Sequence, residues 1–397
     1  MFETLPRDPP DPILGLTEAF QKDPNPEKLN LSAGVYQDAH GRTPIFESVK
    51  RAEERILRNE STKVYLDIQG SEEFGAAAQE LIFGKEHEVL EARRAATAQT
   101  PGGTGGLRIA ADFLKRGFPR AKIWLSNPTW VNHANVFQSA GLEVGTYPYM
   151  DASRDRIDAE GIIKALHRMP EGDGVVFHGC CHNPTGIDPT REEWERIAEA
   201  VQKRKLLALV DFAYQGLGEG ICADAEGIRT LCRAGSELLV ASSFSKNFGL
   251  YRERVGALTV VTPSQQAAEN VLSQLKTAIR ANYSSPPAHG AAIVITVLAD
   301  PELRRKWVEE VDSMRRRIRN MRELFVRGLN AAGAGRDFSF VTRQRGMFSY
   351  TGLTKEQVDV LRGRYSIYIV RDGRMNMAGL TEANMDRVCK AIAEVVN

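Results

Sequence analysis

Lys246 stands in the run Ala-Ser-Ser-Phe-Ser-Lys-Asn-Phe-Gly-Leu (241–250), directly after the apolar stretch Glu-Leu-Leu-Val (237–240). A lysine just past the end of a buried strand, among small hydroxyl residues, can offer a neutral amine to a carbonyl compound and form a Schiff base with it. Taken alone, a lysine is more often a solvated loop residue. A second group bears on the same chemistry. Asp211 follows the apolar run Lys-Leu-Leu-Ala-Leu-Val (205–210) and opens Asp-Phe-Ala-Tyr-Gln-Gly (211–216). A carboxylate there reaches the carboxyl edge of an α/β sheet, where such sheets bind ligands. Ionised, it would keep a nearby ring nitrogen protonated, because an opposite charge favours the charged form. Its other role is to cap a loop or helix. Tyr214, three residues on, either bonds a ligand oxygen or fills core with a satisfied hydroxyl.

Three further segments share this pattern. Val175–Phe177 runs into His-Gly-Cys-Cys-His-Asn-Pro-Thr-Gly (178–186), which places Asn183 at a strand exit. Asn-Pro is also ordinary turn chemistry. Thr190 with Glu193 forms a capping box that starts the next helix. The run Thr-Pro-Gly-Gly-Thr-Gly-Gly-Leu (100–107) leads into a helical pattern over Leu107–Lys115 and offers bare N–H groups to a phosphate. It is neither G-x-G-x-x-G, since Arg108 holds the last position, nor a Walker loop. Arg254, in Tyr-Arg-Glu-Arg-Val-Gly (251–256), can bind a phosphate dianion through its fork or pair with Glu253 on the surface.

In this order the motifs resemble the fold-type I pyridoxal phosphate enzymes, and among them the class I aminotransferases of the aspartate/aromatic subgroup. The resemblance runs from Asp-Pro-Ile-Leu-Gly-Leu (11–16) through Tyr-Leu-Asp-Ile-Gln-Gly (65–70) to Gly-Arg-Met-Asn-Met-Ala-Gly-Leu (373–380). It implies that Lys246 carries pyridoxal 5'-phosphate and shuttles the substrate proton, with pyridoxamine 5'-phosphate as the alternate form. Asp211 would pair with the ring nitrogen, and Asn183 and Tyr214 would bond the ring's oxygen. Trp130 would stack on the ring, with His133 and His178 behind Asp211. Gly103, Thr104, Ser243 and Arg254 would hold the phosphate. Tyr65 and Ser284 match positions that reach the phosphate from a second subunit, so the resemblance implies a homodimer with shared active sites. Arg374 matches the clamp for the substrate α-carboxylate, with Gly34 nearby. Arg280 matches the second-subunit arginine that takes a side-chain carboxylate.

The elements that must position these residues are legible as alternation. Apolar runs at Lys122–Leu125, Val175–Phe177, Leu206–Val210, Leu238–Ser242 and Gly256–Val261 alternate with helical patterns, which predicts an α/β fold with a mostly parallel sheet between helices. A long helix is expected over Glu302–Leu329, its arginines interspersed with acids as on a solvated face. Strands are expected near Phe338–Val341, Met347–Tyr350 and Ile367–Ile369. The proline-rich start (Pro6, Pro9, Pro10, Pro12) reads as an extended arm. By the resemblance, residues 45–313 form a large cofactor domain, and 1–44 with 314–397 form a smaller α/β domain made from both chain ends.

Composition excludes other classes. Fifty-two Lys and Arg against 51 Asp and Glu leave +1, which argues against nucleic acid or an anionic membrane as partner. No apolar stretch is long enough to span a bilayer. Acids and prolines near the start do not fit a signal or transit peptide, so a cytoplasmic location is expected. Five cysteines without a C-x-x-C pair predict reduced thiols and no metal site.

The expected reaction is transfer of the amino group of L-aspartate, and of aromatic amino acids, to 2-oxoglutarate by a ping-pong route, giving oxaloacetate or the aryl keto acid plus L-glutamate. Arg280 and Thr104 point to aspartate, whereas Ser285 and the runs 113–119 and 345–353 look more like the aromatic members. Aromatic transamination as the main activity, or β-elimination or decarboxylation on the same cofactor, are the alternatives.

Overall fold

The computed structural model describes residues 2–7, 14–151, 155–232 and 236–397. Pro9, Pro10 and Pro12 of the expected arm, and Asp11 to Ile13 of the run 11–16, lie outside the described residues. Eleven strands occur among the described residues: β1 Leu29–Asn30, β2 Ala95–Pro101, β3 Lys122–Asn127, β4 Glu143–Pro148, β5 Gly174–His178, β6 Leu207–Phe212, β7 Leu238–Ser243, β8 Val255–Val261, β9 Phe348–Tyr350, β10 Ile367–Tyr368 and β11 Arg374–Asn376. Seven of them form one sheet in the order β2-β8-β7-β6-β5-β3-β4. All neighbours in it run parallel except β8, which is antiparallel to both β2 and β7.

The central strands are apolar throughout because helices cover both faces. Val175, Phe177, Ala208, Val210, Leu238 and Val240 face one core. The residues between them, Val176, Leu209 and Leu239, face the other with Leu107 and Ile279 from two helices. This is the period-two alternation of a strand with two buried faces.

The β2–β8 order has a functional consequence. The parallel strands end at one edge, and the antiparallel β8 begins there. The chain therefore delivers its strand exits and the residue before β8 to a common place, in keeping with ligand binding at carboxyl ends in open α/β sheets.

The chain ends meet around a smaller arrangement. Parallel β1 and β10 pair Leu29 with Ile367, and antiparallel β9 and β11 pair Arg374 with Tyr350. The helix Pro301–Ala331 has Asp300 as its N-cap, accepting from Leu303 N–H, and Pro301 in its first turn. The boundary expected at 313/314 falls inside this unbroken helix.

One expected element is corrected. Phe338–Val341 is not a strand; Ser339–Arg343 is a short 3-10 helix. Asp337 accepts hydrogen bonds from the backbone N–H and hydroxyl of Ser339, a local bond that favours a turn over an extended chain. Strands β1, β2, β4 and β11 had no counterpart among the expected elements. Among the described residues no helix is long and apolar enough to cross a membrane.

Candidate active site

A cavity of about 680 Å³ opens at the shared edge of the sheet. It is lined by Gly34, Gly103, Thr104, Trp130, Asn183, Asp211, Tyr214, Ser243, Lys246, Arg254 and Arg374, which come from seven separated stretches of sequence. Each sits where a strand ends or begins. Trp130 follows β3 and Asn183 follows β5. Asp211 is the penultimate residue of β6, opposite His178 in register. Tyr214 follows β6, Lys246 follows β7, Arg254 precedes β8 and Arg374 opens β11.

The Lys246 ammonium lies 4.8 Å from the Tyr214 ring centroid. Burial lowers its pKa; Asp211 opposes this, and Arg254 and Arg374 reinforce it. The amine is thus held towards the neutral, nucleophilic form.

Asp211 is the end of a directional hydrogen-bond chain. Asn183 N–H donates to His178 Nδ1 (3.3 Å), which leaves the proton of a neutral ring on Nε2. Burial, with the neighbouring His182 and His133, holds the His178 pKa well below 6.5, so that ring is neutral. His178 Nε2–H then donates to Thr129 Oγ1 (3.2 Å), and the Thr129 hydroxyl donates to His133 Nδ1 (2.8 Å). His133 Nε2–H is left to donate to Asp211 Oδ2 (3.1 Å). Burial works against the Asp211 charge. The His133 hydrogen bond, together with the neighbouring His133, His178 and Lys246 side chains, outweighs it, and the carboxyl stays below its usual value. A buried carboxylate held ionised at the cavity floor is suited to stabilise a cation placed above it.

Arg374 is buried and has no carboxylate partner among the described residues. Its Nη1 donates to Asn183 Oδ1 and its Nη2 to the Ser32 carbonyl, both at 3.0 Å. Its Nε is buried with no hydrogen-bond partner among the described residues. A buried guanidinium with unspent N–H donors in the wall of a cavity fits a carboxylate ligand. Asn183 Nδ2 also approaches the Tyr214 hydroxyl (3.5 Å), so Asn183 joins Arg374 to the ring beside Lys246.

The opposite end of the cavity is an anion cradle. The helix Gly102–Gly117 starts there without a side-chain cap, which leaves its first N–H groups free for an anion. Gly102 has φ +73°, and a Cβ on it would lie 2.4 Å from Arg254 Nη2. A Cβ on Gly103 would come within 3.0 Å of Ser243 Cβ. Ser243 Oγ donates to Ser245 Oγ (3.2 Å), which also accepts from Arg254 Nη1 (3.4 Å). A phosphate fits such a set of bare amides, hydroxyls and one guanidinium.

These features place the chain. The family model for aminotransferases of class I and II matches residues 26–392. The chain belongs to that family. It is 52% identical over 396 residues to the aspartate aminotransferase of Escherichia coli K12, covering 100% of both chains. It is 47% identical to the aromatic-amino-acid aminotransferase of Pseudomonas aeruginosa, over 99% of this chain and 98% of that one. The crystal structure of the Burkholderia pseudomallei aromatic-amino-acid aminotransferase, covalently bound to pyridoxal phosphate, superposes with a TM-score of 0.97 at 48% identity over 100% of both chains.

Not every site residue expected of this aminotransferase meets in one chain. Tyr65 is 91% exposed. Arg280 is exposed at the end of the helix Gln265–Asn282, where it bonds the Ser284 hydroxyl. None of these three lines the cavity of the described chain. Conversely, the cavity includes Leu107, Val131, Asn132, Ala213, Ser245, Tyr251 and Phe348, which sequence reasoning did not single out. Ser245 and Tyr251 flank Lys246 and Arg254 and were findable by adjacency. Phe348 carried no signal beyond an apolar run.

Among the described residues, Cys180, Cys181 and Asp224 gather side chains that could ligate a metal. The Asp224 carboxylate already accepts from the N–H groups of Gly216, Gly218 and Glu219. Burial pushes the Cys181 thiol up to about 11 and raises the Cys180 thiol well above its usual value. The group is built as a turn clamp over neutral thiols.

Proposed function

We propose that this aminotransferase moves the amino group of L-aspartate, and of aromatic amino acids, to 2-oxoglutarate with pyridoxal 5'-phosphate, aspartate being favoured. The observation that carries the reading is the single cavity that joins a lysine amine biased neutral, an ionised buried Asp211, an anion cradle and the unpaired face of Arg374. The cofactor fits that set: Lys246 would carry it, the Gly103, Thr104, Ser243 and Arg254 cradle would hold its phosphate, Trp130 would cover its ring, and Asp211 would face the ring nitrogen. When bound, the ring acts as an electron sink for negative charge at the substrate α-carbon.

The side chains do the rest. Arg374 binds the α-carboxylate of each donor through its fork and aims the Cα–H bond. Lys246 Nζ takes the Cα proton, its lowered pKa keeping it a competent base near neutral pH. The chain from Asn183 through Thr129 to His133 holds Asp211 charged. Asn183 and Tyr214 would hold the ring oxygen of the bound cofactor. Water exclusion by Trp130 and Phe348 strengthens each of these electrostatic contacts.

We further propose a homodimer in which Tyr65, Ser284 and Arg280 complete the cavity of the partner, Arg280 taking the side-chain carboxylate. The exposure of Tyr65 (91%), Leu57 (84%) and Val64 (77%) on one stretch supports a covered face. Residues 45–313 would be the cofactor-bearing unit, and 1–44 with 314–397 the unit that brings Gly34 and Arg374. Five free thiols suit a reducing, cytoplasmic setting.

The test is initial rates of cofactor-loaded protein with 2-oxoglutarate and aspartate, phenylalanine or tyrosine. A kcat/KM led by aspartate with measurable aromatic turnover supports the reading. Aromatic donors ahead of aspartate would reverse the preference, and release of ammonia or carbon dioxide without glutamate would replace transamination with another reaction.

A further inference from the structure

Arg322 is a buried cation with no anionic partner among the described residues. It lies on the helix Pro301–Ala331 and is 3% exposed. Its Nε donates to Ser349 Oγ (3.1 Å), and its Nη2 donates to the carbonyls of Gly346 and Phe348 (2.8 Å to the latter). Burial lowers its pKa to about 10. A well-packed methionine or leucine in such a place is often no less stable than a buried charge, so packing alone is a weak reason for an arginine.

What the guanidinium grips is the segment 346–349, and at its centre is Phe348. The face of that ring is also the backing of Arg374, whose guanidinium carbon lies 4.1 Å from the ring centroid. The Phe348 ring further packs edge-on against Tyr214 (centroids 6.2 Å), and a Cβ added to Gly34 would lie 3.1 Å from its Cζ. Phe348 is therefore wedged between the lysine's neighbour, the Gly34 backbone and the carboxylate-binding arginine, with no slack on the Gly34 side. The fork of Arg322 fixes the backbone from which that ring projects.

We infer that Arg322 is a positioning residue for substrate carboxylates: by clamping the backbone at 346–349 it seats the Phe348 ring under Arg374 and so sets the orientation of the guanidinium. The inference rests on the reading of Arg374 as the α-carboxylate clamp. Its signature is a carboxylate-binding defect common to all donors, transmitted through Phe348. Arg322→Lys keeps the charge and removes the planar fork, which a single ammonium cannot reproduce.

The experiment uses the cofactor-loaded full chain as wild type, Arg322→Lys, Phe348→Leu and the double variant. Succinate affinity is measured by titration calorimetry, KM and kcat are measured for aspartate and phenylalanine, and Tm is recorded for each variant. Loss of the aromatic backing weakens a cation–π contact, so Arg322→Lys is expected to raise the succinate Kd roughly 3- to 30-fold. KM should rise similarly for both donors and by more than kcat falls. The double variant should bind succinate no worse than Phe348→Leu alone, because the two residues act in series. An unchanged Kd in Arg322→Lys, or additive losses in the double variant, overturns the inference while leaving transamination standing. A fall in Tm with unmoved Kd and KM also overturns it, since that is what a merely structural arginine would give. If Arg322→Lys does not fold, Ser349→Ala, which removes one of the three acceptors, must move Kd in the same direction, and no movement overturns the inference. Wild type that neither binds succinate nor makes glutamate would overturn this inference and the functional reading together.

Discussion

Replacing Arg374 by lysine separates charge from geometry at the position proposed to bind the α-carboxylate of every substrate. A guanidinium has five N–H donors. In Arg374 one goes to Asn183 Oδ1 and one to the Ser32 carbonyl, and Nε is free. The unspent donors lie in one plane and can meet both oxygens of a carboxylate. Lysine retains the charge but offers a point donor on a flexible stem. At least one charge-assisted hydrogen bond to the substrate is lost, a deficit of about 1.5–3 kcal/mol. That corresponds to roughly a 10- to 150-fold fall in kcat/KM. Since aspartate and phenylalanine share the α-carboxylate, both should fall by the same factor in a coupled initial-rate assay, while the visible absorption of the bound cofactor stays as in wild type. A loss under about threefold, or a loss confined to one donor, would refute the assignment of Arg374 to the α-carboxylate.

Other consequences follow from the same geometry. Gly102→Ala adds a methyl group at φ +73°, 2.4 Å from Arg254 Nη2, and should weaken pyridoxal phosphate binding at least about tenfold by spectral titration. Gly117→Ala, where nothing lies within 4 Å of the new Cβ, should leave that affinity unchanged. Arg280→Ala should cut kcat/KM for aspartate by roughly 10²-fold or more and spare phenylalanine to within a few-fold. His182 is buried, and burial followed by the neighbouring His133 holds its pKa well below 6.5. The unfolded chain therefore binds a proton below pH 6.5 that the folded chain does not, and stability falls as pH drops through that window. His182→Gln should remove about 1.4 kcal/mol per pH unit from this slope, read by urea unfolding between about pH 5 and 6.5; an unchanged slope contradicts the assignment.

The elements legible in the sequence were those buried on both faces. Leu207–Phe212 and Leu238–Ser243 are apolar runs because helices cover both sides of them. Ala95–Pro101 was not legible, because its polar residues work inside the fold: Thr97 bonds Thr259, and Gln99 donates to the Pro287 carbonyl. Glu143–Pro148 lies at the sheet's edge with several exposed positions, so its pattern is diluted. Lys246, Asp211 and Asn183 were legible because each closes an apolar run. The bonds of Arg374 to Ser32 and Asn183, across 342 and 191 positions, are set by the meeting of the chain ends and leave no local trace. Thr129 escaped notice for a similar reason, since its role appears only when β3 and β5 bring His133 and His178 to either side of it.

Lys246 is proposed as both the base and the anchor of amino transfer. The most direct measurement is the initial rate of glutamate formation from aspartate and 2-oxoglutarate, comparing cofactor-saturated wild type with Lys246→Ala. Lys246→Ala is expected to lose roughly 10⁴-fold or more in rate, with the Asp211 and Arg374 environments intact. A variant that keeps more than a few per cent of the wild-type rate would contradict it.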